Sequence, residues 1–245
     1  MAQSVEITSV GARVRVAIES TAGVRPTFGY TDIPDVNEAP EQDMSTETID
    51  VSNISDYVTR YADGRQDPGG DQAFSLNHTD RVIDEWDALV AEANTALQSG
   101  KRLWFEYVFP AAKKSYFWAG KPKALGTSGI AQNELDTIPA HVVLSDWKGW
   151  QAKSGIAADI RYLTVKTGAG NAVTFNVYDY PAAATITPTS SETGKATVAK
   201  GTAYTDLGGT TYTPITVTGV AAGTSNISVS DGTNSVIVVV TVVAA

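Results

Sequence analysis

The chain has no cysteine among its 245 residues. Disulfides, zinc–thiolate centres and a cysteine nucleophile are therefore excluded, and the absence fits assembly in a reducing compartment. Histidine is nearly absent as well: His78 and His141 stand far apart, and neither has a His or Cys at metal-ligand spacing. No GxSxG elbow occurs. No run of 18 apolar residues occurs, so no membrane-spanning helix is expected. The first residues, MAQSVEITSVGARVRVAI, lack a basic segment followed by an apolar one, so no signal peptide is expected. Basic residues are scarce, with 18 Lys+Arg against 27 Asp+Glu and a net charge of −9. That balance argues against a protein that grips nucleic acid by its phosphates, but not against one that DNA passes without sticking.

The acid is unevenly placed. Residues 1–152 carry 22 Asp+Glu and 13 Lys+Arg, while the remainder carries five of each. Asp32–Asp71 alone holds 11 acids against Arg60 and Arg65. All five tryptophans (Trp86, Trp104, Trp118, Trp147, Trp150) precede residue 151. These shifts divide the chain into two domains, 1–152 and 156–245, with the boundary in the polar, glycine-bearing QAKSGI at 151–156.

In the first domain Val5–Thr8 and Ala12–Ile18 read as strands. Val14, Val16 and Ile18 alternate with Arg13 and Arg15, which predicts one buried and one wet face. Glu19–Asp71, rich in Thr, Asp, Pro and Gly, reads as a long loop, with a short strand at Thr46–Val51. A loop of this length is usually functional or disordered. Tyr57, Val58 and Tyr61 favour one that orders on a partner, and a solvated insertion is the competing reading. Asp71–Leu76 reads as a strand leading into the one clear helix, about residues 80–98. There Val82, Ile83, Trp86, Leu89, Val90, Ala93, Ala96 and Leu97 form one apolar stripe, capped by Thr79 or Asp80 and ended by Gly100. Asp84, Glu85 and Asp87 are placed on its wet face rather than in a catalytic carboxylate pair. Strands follow at Arg102–Phe109, Ser115–Gly120 and Thr137–Trp147, with a further one near Lys121–Leu125. Pro139 places the Thr137–Trp147 segment at an edge or a strand start.

The second domain reads as short strands split by Gly, Pro and Asp turns: Ile160–Val165, Ala172–Val177, Ala183–Thr187, Ala196–Ala199, Tyr212–Thr218, Asn226–Ser230 and Ser235–Val242. Such a series suits a β-sandwich without the antibody-type Cys–Trp core. Asp231–Asn234 is a hairpin turn and lacks the spaced acids of a calcium loop. Gly168-Ala169-Gly170 is too short and wrongly placed to cradle a phosphate. No catalytic residue, metal site or cofactor is assigned, and an enzyme is the least supported class.

Two resemblances follow from these segments. Residues 160–245 resemble the bacterial immunoglobulin-like domain of group 2 (BIG2). The specific stretch is VTGVAAGTSNISV within ITVTGVAAGTSNISVSDGTNSVIVVVTV, preceded by TGAGNAVTFNV and TPTSSETGKATVA, while Lys200–Thr213 fits less well. Residues 1–150 look like the major tail tube protein of long non-contractile-tailed, lambda-like siphophages. Here the match is the order of features: a strand pair, the acidic TETIDVSNISDYVTRYADGRQDPGGDQAFSL, one helix, then RLWFEYVFPAAKKSYFWAG and a final strand.

The resemblance implies a mainly β fold: a tail-tube-type β-sandwich or barrel with one flanking α-helix, and a C-terminal Ig-like sandwich. It implies a non-enzymatic virion protein, made in the host cytoplasm, whose hexameric rings stack into a tube for DNA ejection, with the Ig-like domain displayed outside. Implied partners are further copies of the chain, the tape measure, terminator and tail-tip proteins, and genomic DNA sliding through an acidic lumen without specific binding. The loop at about 38–70 is the candidate inter-subunit or inter-ring contact, through Glu47, Asp50, Asp56, Tyr57, Arg60, Tyr61 and Arg65. The alternative is a phage or bacterial surface protein for decoration or glycan binding, with host-surface glycans as ligand. Tyr178, Tyr180, Tyr204 and Tyr212 are then available to it, although their plainer role is sandwich packing.

Overall fold

The computed structural model describes residues 11–43, 46–66, 70–127, 129, 136–179, 185–206 and 210–245. The chain is mainly β with one α-helix. The first half contains β1 (Arg13–Ile18), β2 (Tyr30–Asp32), β3 (Val36–Glu38), β4 (Thr46–Asp50), β5 (Tyr61–Gln66), β6 (Asp71–Asn77), α1 (Asp80–Gln98), β7 (Leu103–Val108), β8 (Lys114–Pro122) and β9 (Thr137–Ala152). The second half contains β10 (Ala157–Ala158), β11 (Tyr162–Lys166), β12 (Val173–Tyr178), β13 (Thr187–Ser190), β14 (Ala196–Lys200), β15 (Tyr204–Thr205), β16 (Thr211–Gly219), β17 (Gly223–Ser230) and β18 (Ser235–Val243). The strand expected at Val5–Thr8 and the start of the one expected at Ala183–Thr187 lie outside the described residues.

One sheet runs through both halves in the order β14-β16-β12-β10-β2-β1-β7-β8-β9-β6-β3, with β15 also on β16. The crossing is made by two-residue β10. It pairs parallel to β2, with Ala157 opposite Tyr30, and antiparallel to β12, with Ala157 opposite Tyr178. A second sheet, β11-β18-β17-β13, packs against the C-terminal end of the first. Phe175, Val177, Ile215 and Val217 face Ile227, Val229, Val238 and Val240 across that core. The alternation is that of a sandwich with one face inward on each layer.

Helix α1 covers one face of the N-terminal strands. Thr79 Oγ1 accepts from the Val82 N–H (3.2 Å), and Trp86 Nε1 donates to the Lys123 carbonyl (2.9 Å), which ties the helix to the strand end it crosses. Val82, Trp86, Leu89 and Ala93 meet Phe74, Phe105 and Trp118, and the last two rings stack at 4.3 Å. Glu85, expected on the wet face, is buried. It lies against the core edge, where Arg81 one turn earlier reaches it at 2.8 Å.

Three further expectations are corrected. Glu19–Asp71 is not a loop with one strand, because it also carries β2, β3 and β5, and β4 and β5 pair as a hairpin. Lys121–Leu125 holds no separate strand, since β8 simply extends to Pro122. Pro139 stands where expected, near the start of β9 and beside an open edge. Pro139 pairs with Ser75 of β6, on a stretch of β9 that runs past the end of β8, so its missing N–H leaves no ladder bond unmade there. The arginine face of β1 is not wet: Arg15 is 0% exposed.

Residues of the second half cover that face. Arg15 Nε donates to the Tyr178 hydroxyl (3.2 Å), and the guanidinium lies 4.2 Å from the Tyr178 ring centroid. It also lies 3.3 Å from Asp32 and 3.7 Å from Glu106. The Tyr178 hydroxyl donates to Asp32, which accepts from Arg13 as well (2.8 Å), and Arg13 reaches on to the Tyr212 hydroxyl. Glu106 accepts from the backbone N–H of Ser154 (3.0 Å) and from its hydroxyl. The 151–156 segment is therefore pinned, with Ser154 and Ile156 both buried. On the helix side Arg161 Nε donates to Glu92 (3.1 Å), and its second arm reaches Thr31 Oγ1 (3.3 Å).

Two predictions follow from this joint. Tyr178→Phe removes a buried hydroxyl that links Arg15 to Asp32, and loss of such a partner costs about 1–3 kcal/mol. Urea unfolding should show that loss, together with one shared transition for both halves. An unchanged midpoint would show that the hydroxyl is dispensable. The second concerns Glu85 and Asp159, whose carboxyls burial pushes above their usual range. An acid raised in the folded state stabilises it fully below the unfolded pKa, and that contribution is lost as pH rises through the folded pKa. Glu85→Gln should therefore gain stability relative to the parent as pH rises from 4 to 7. A pH-independent difference between the two unfolding midpoints would refute this.

Candidate functional site

The hairpin β4–β5 forms a sheet of its own and stands away from both cores. It is built from TETID and YADGRQ, paired Thr46 to Gln66 and Asp50 to Tyr61, with a register shift between Thr46 and Thr48. The connection between its strands is stapled by local polar groups. The Val51 N–H donates to the Arg60 carbonyl (3.0 Å), and the Arg60 N–H donates to Ser52 Oγ (2.8 Å). Asp56 accepts from the Asn53 N–H (2.9 Å) and pairs with Arg60 at 3.0 Å. Asn, Asp and Ser turns of this kind fix a backbone without a core.

The stapled tip turns apolar groups outward. Ile54 and Tyr57 are fully exposed, Val58 is 75% exposed and Tyr61 66%, with Ile49 and Val51 about half exposed. A lone two-stranded ribbon is only marginally stable in water, and clustered exposed aliphatic and aromatic groups mark contact surfaces.

The residues singled out from the sequence fall on this element. Glu47 and Asp50 are exposed on β4, Asp56, Tyr57 and Arg60 lie in the tip, and Tyr61 opens β5. Arg65 is placed by its backbone in β5. The Asp50 carboxyl is held below its usual range by hydrogen bonds from Ser52, side chain and backbone. Sequence reading missed Ile49, Val51 and Ile54, whose signal was present as apolar residues inside a polar stretch.

Other candidates resolve into local structure. His78 pairs with Asp136 (2.5 Å) and His141 with Asp71 (3.0 Å), at separate exposed positions. Asp71 also holds Lys123 at 3.2 Å. No group of three or more His, Cys, Asp or Glu suited to a metal ion occurs among the described residues. Asp231 accepts from the N–H groups of Thr233 and Asn234 (2.7 and 2.6 Å), as its hairpin turn requires. Tyr178 and Tyr212 are buried in the joint. Tyr204 is half exposed and stacks on Tyr212 at 5.4 Å, and Tyr180 lies outside the described residues.

No protein-family model matches the chain, and no curated protein matches it. Among solved structures, domains 4 and 5 of the S-layer protein SbsC align at 22% identity and a TM-score of 0.29, over 58% of this chain and 65% of that one. SbsC domains 1–6 align at 19% identity and 0.31, over 86% and 29%. A chain of the anti-feeding prophage (AFP) baseplate, 6-fold symmetrised, aligns at 6% identity and 0.37, over 61% and 96%. Likenesses of this size assign neither a family nor a function.

Proposed function

We propose that this chain is a structural virion protein, the subunit of a siphophage tail tube, in which hexameric rings stack and DNA passes through the lumen. One observation carries the reading: the stapled β4–β5 hairpin, which holds Ile54, Tyr57 and Val58 exposed, with no described residue covering them. Such an element is suited to burial against another copy. Among the described residues the first-half end of the long sheet is the edge strand β3, the kind of backbone edge that a closed ring would seal. The C-terminal sandwich then forms the outward part of each subunit, and the tape measure, terminator and tail-tip proteins are the other contacts within the virion. The acidic first half suits a lumen that repels phosphate.

The test is negative-stain microscopy of the purified protein at rising concentration. The expected result is rings with a central hole, or tubes with outward knobs. Ile54→Ser with Tyr57→Ser and Val58→Ser should remain folded, since exposed substitutions usually shift stability within about ±0.5 kcal/mol, yet should sediment as monomer. A parent protein that stays monomeric, even with tail-tip proteins added, refutes the tube. Polysaccharide binding by that monomer would support a surface-displayed glycan-binding or decoration role.

A further inference from the structure

A second surface on the chain complements the hairpin tip. Near its end β9 carries a bulge: the β8–β9 register slips between Phe117 and Trp118, at Lys148-Gly149. Gly149 has φ 64, and a Cβ there would meet the Trp147 ring at 3.0 Å. The extra residue lets Trp150 pair with Tyr116 while Trp147 pairs with Trp118, so both indoles lie on the helix-bearing face. Trp150 stays 51% exposed. It packs edge-on against Tyr116 (5.5 Å, 79°) and lies 6.0 Å from Phe109.

Three lysines lie near this ring along β8 and β9. Lys114 precedes Tyr116 by two residues in β8 and so shares its face, Lys113 comes just before it, and Lys148 is the extra residue of the bulge, two positions before Trp150. All three are exposed, and none makes an ion pair or side-chain hydrogen bond with another described residue. Three exposed lysines so close along these strands to a half-exposed indole stand out in a chain of net charge −9. The hairpin presents the converse: an apolar tip with Glu47, Asp50 and Asp63 along its strands, while Arg60 is held by Asp56.

We propose that the patch of Trp150 with Lys113, Lys114 and Lys148 is the receiving surface for the β4–β5 hairpin tip of a second copy of this chain. The proposal rests on the assembly reading above. Tyr57 and Val58 cover the Trp150 indole, and the acids of the ribbon meet the lysines. The contact joins two different surfaces, and where it is not reciprocated about a two-fold axis it is head-to-tail and propagates into rings or stacks. Charge matching of this kind sets register and suppresses wrong partners.

The cysteine-free chain permits a direct test. Val58→Cys in one preparation and Ala152→Cys in another each introduce a single thiol. Ala152 pairs with Lys114 beside Trp150. Mild oxidation of the mixture should trap a disulfide-linked dimer that neither variant forms to the same extent alone. In parallel, Lys113→Glu with Lys114→Glu and Lys148→Glu should abolish assembly. Adding Glu47→Lys and Asp63→Lys to that variant should restore it, which a merely structural role for the lysines would not allow. Normal assembly of the lysine-reversed protein without a 58–152 cross-link overturns this contact and leaves the tube standing. A parent that does not assemble, together with no 58–152 cross-link between the two cysteine variants, overturns both.

Discussion

Arg15 is the group around which the two halves are organised. A guanidinium with no exposure to water carries a desolvation penalty of several kcal/mol unless paired on more than one side. Its partners come from separate parts of the chain: Asp32 from β2, Glu106 from β7 and Tyr178 from β12. Two belong to the first half and one to the second, so the charge is satisfied only when both halves are in place. The same region places Ala157 between Tyr30 and Tyr178 and packs Trp104 and Phe117 behind them. Polar pairing and apolar burial therefore act on one joint. A flexible tether at 151–156 would strip Glu106 of both hydrogen bonds from Ser154 and leave Arg15 as its partner in the interior.

The first sheet is covered by α1 on one face of its N-terminal strands and by the joint on the other face of β1, β7 and β8. Residues 39–43 are fixed to the helix-bearing face through the Tyr107 hydroxyl on the Pro40 carbonyl (3.1 Å) and Gln42 on Gln72 (2.8 Å). The tip of the β4–β5 hairpin is stapled by its own polar groups, and a tip so held loses little entropy when it docks. This answers why the ribbon spends Asn53, Ser52 and Asp56 on its own backbone rather than on solvent or the core.

Elements with a strong period could be read directly from the sequence. The α1 stripe, the Thr79 cap and most strands of the C-terminal sandwich stand close to where periodicity puts them, while the strand expected at Ala183–Thr187 lies later, at Thr187–Ser190. The failures share a cause, which is that burial came from a distant segment. Arg15 and Glu85 read as wet because local alternation treats charge as exposed, and neither Tyr178 nor the core edge beside Arg81 is visible in a local window. The hairpin was half legible. TETID has strand character, but YADGRQ, with Gly64 and Asp63, reads as turn and takes strand form only by pairing with β4. Trp150 gave no local sign of exposure, since its position depends on the Gly149 bulge.

The chain combines one polar joint with one bare ribbon. The polar groups around Arg15 are taken up in holding the halves together. In the proposed assembly the exposed apolar tip and the Trp150 surface are the two halves of one contact. Either alone carries the cost of apolar area in water. Paired between copies, they would remove that cost in one step, so features that are unfavourable in an isolated chain would become the driving terms of assembly.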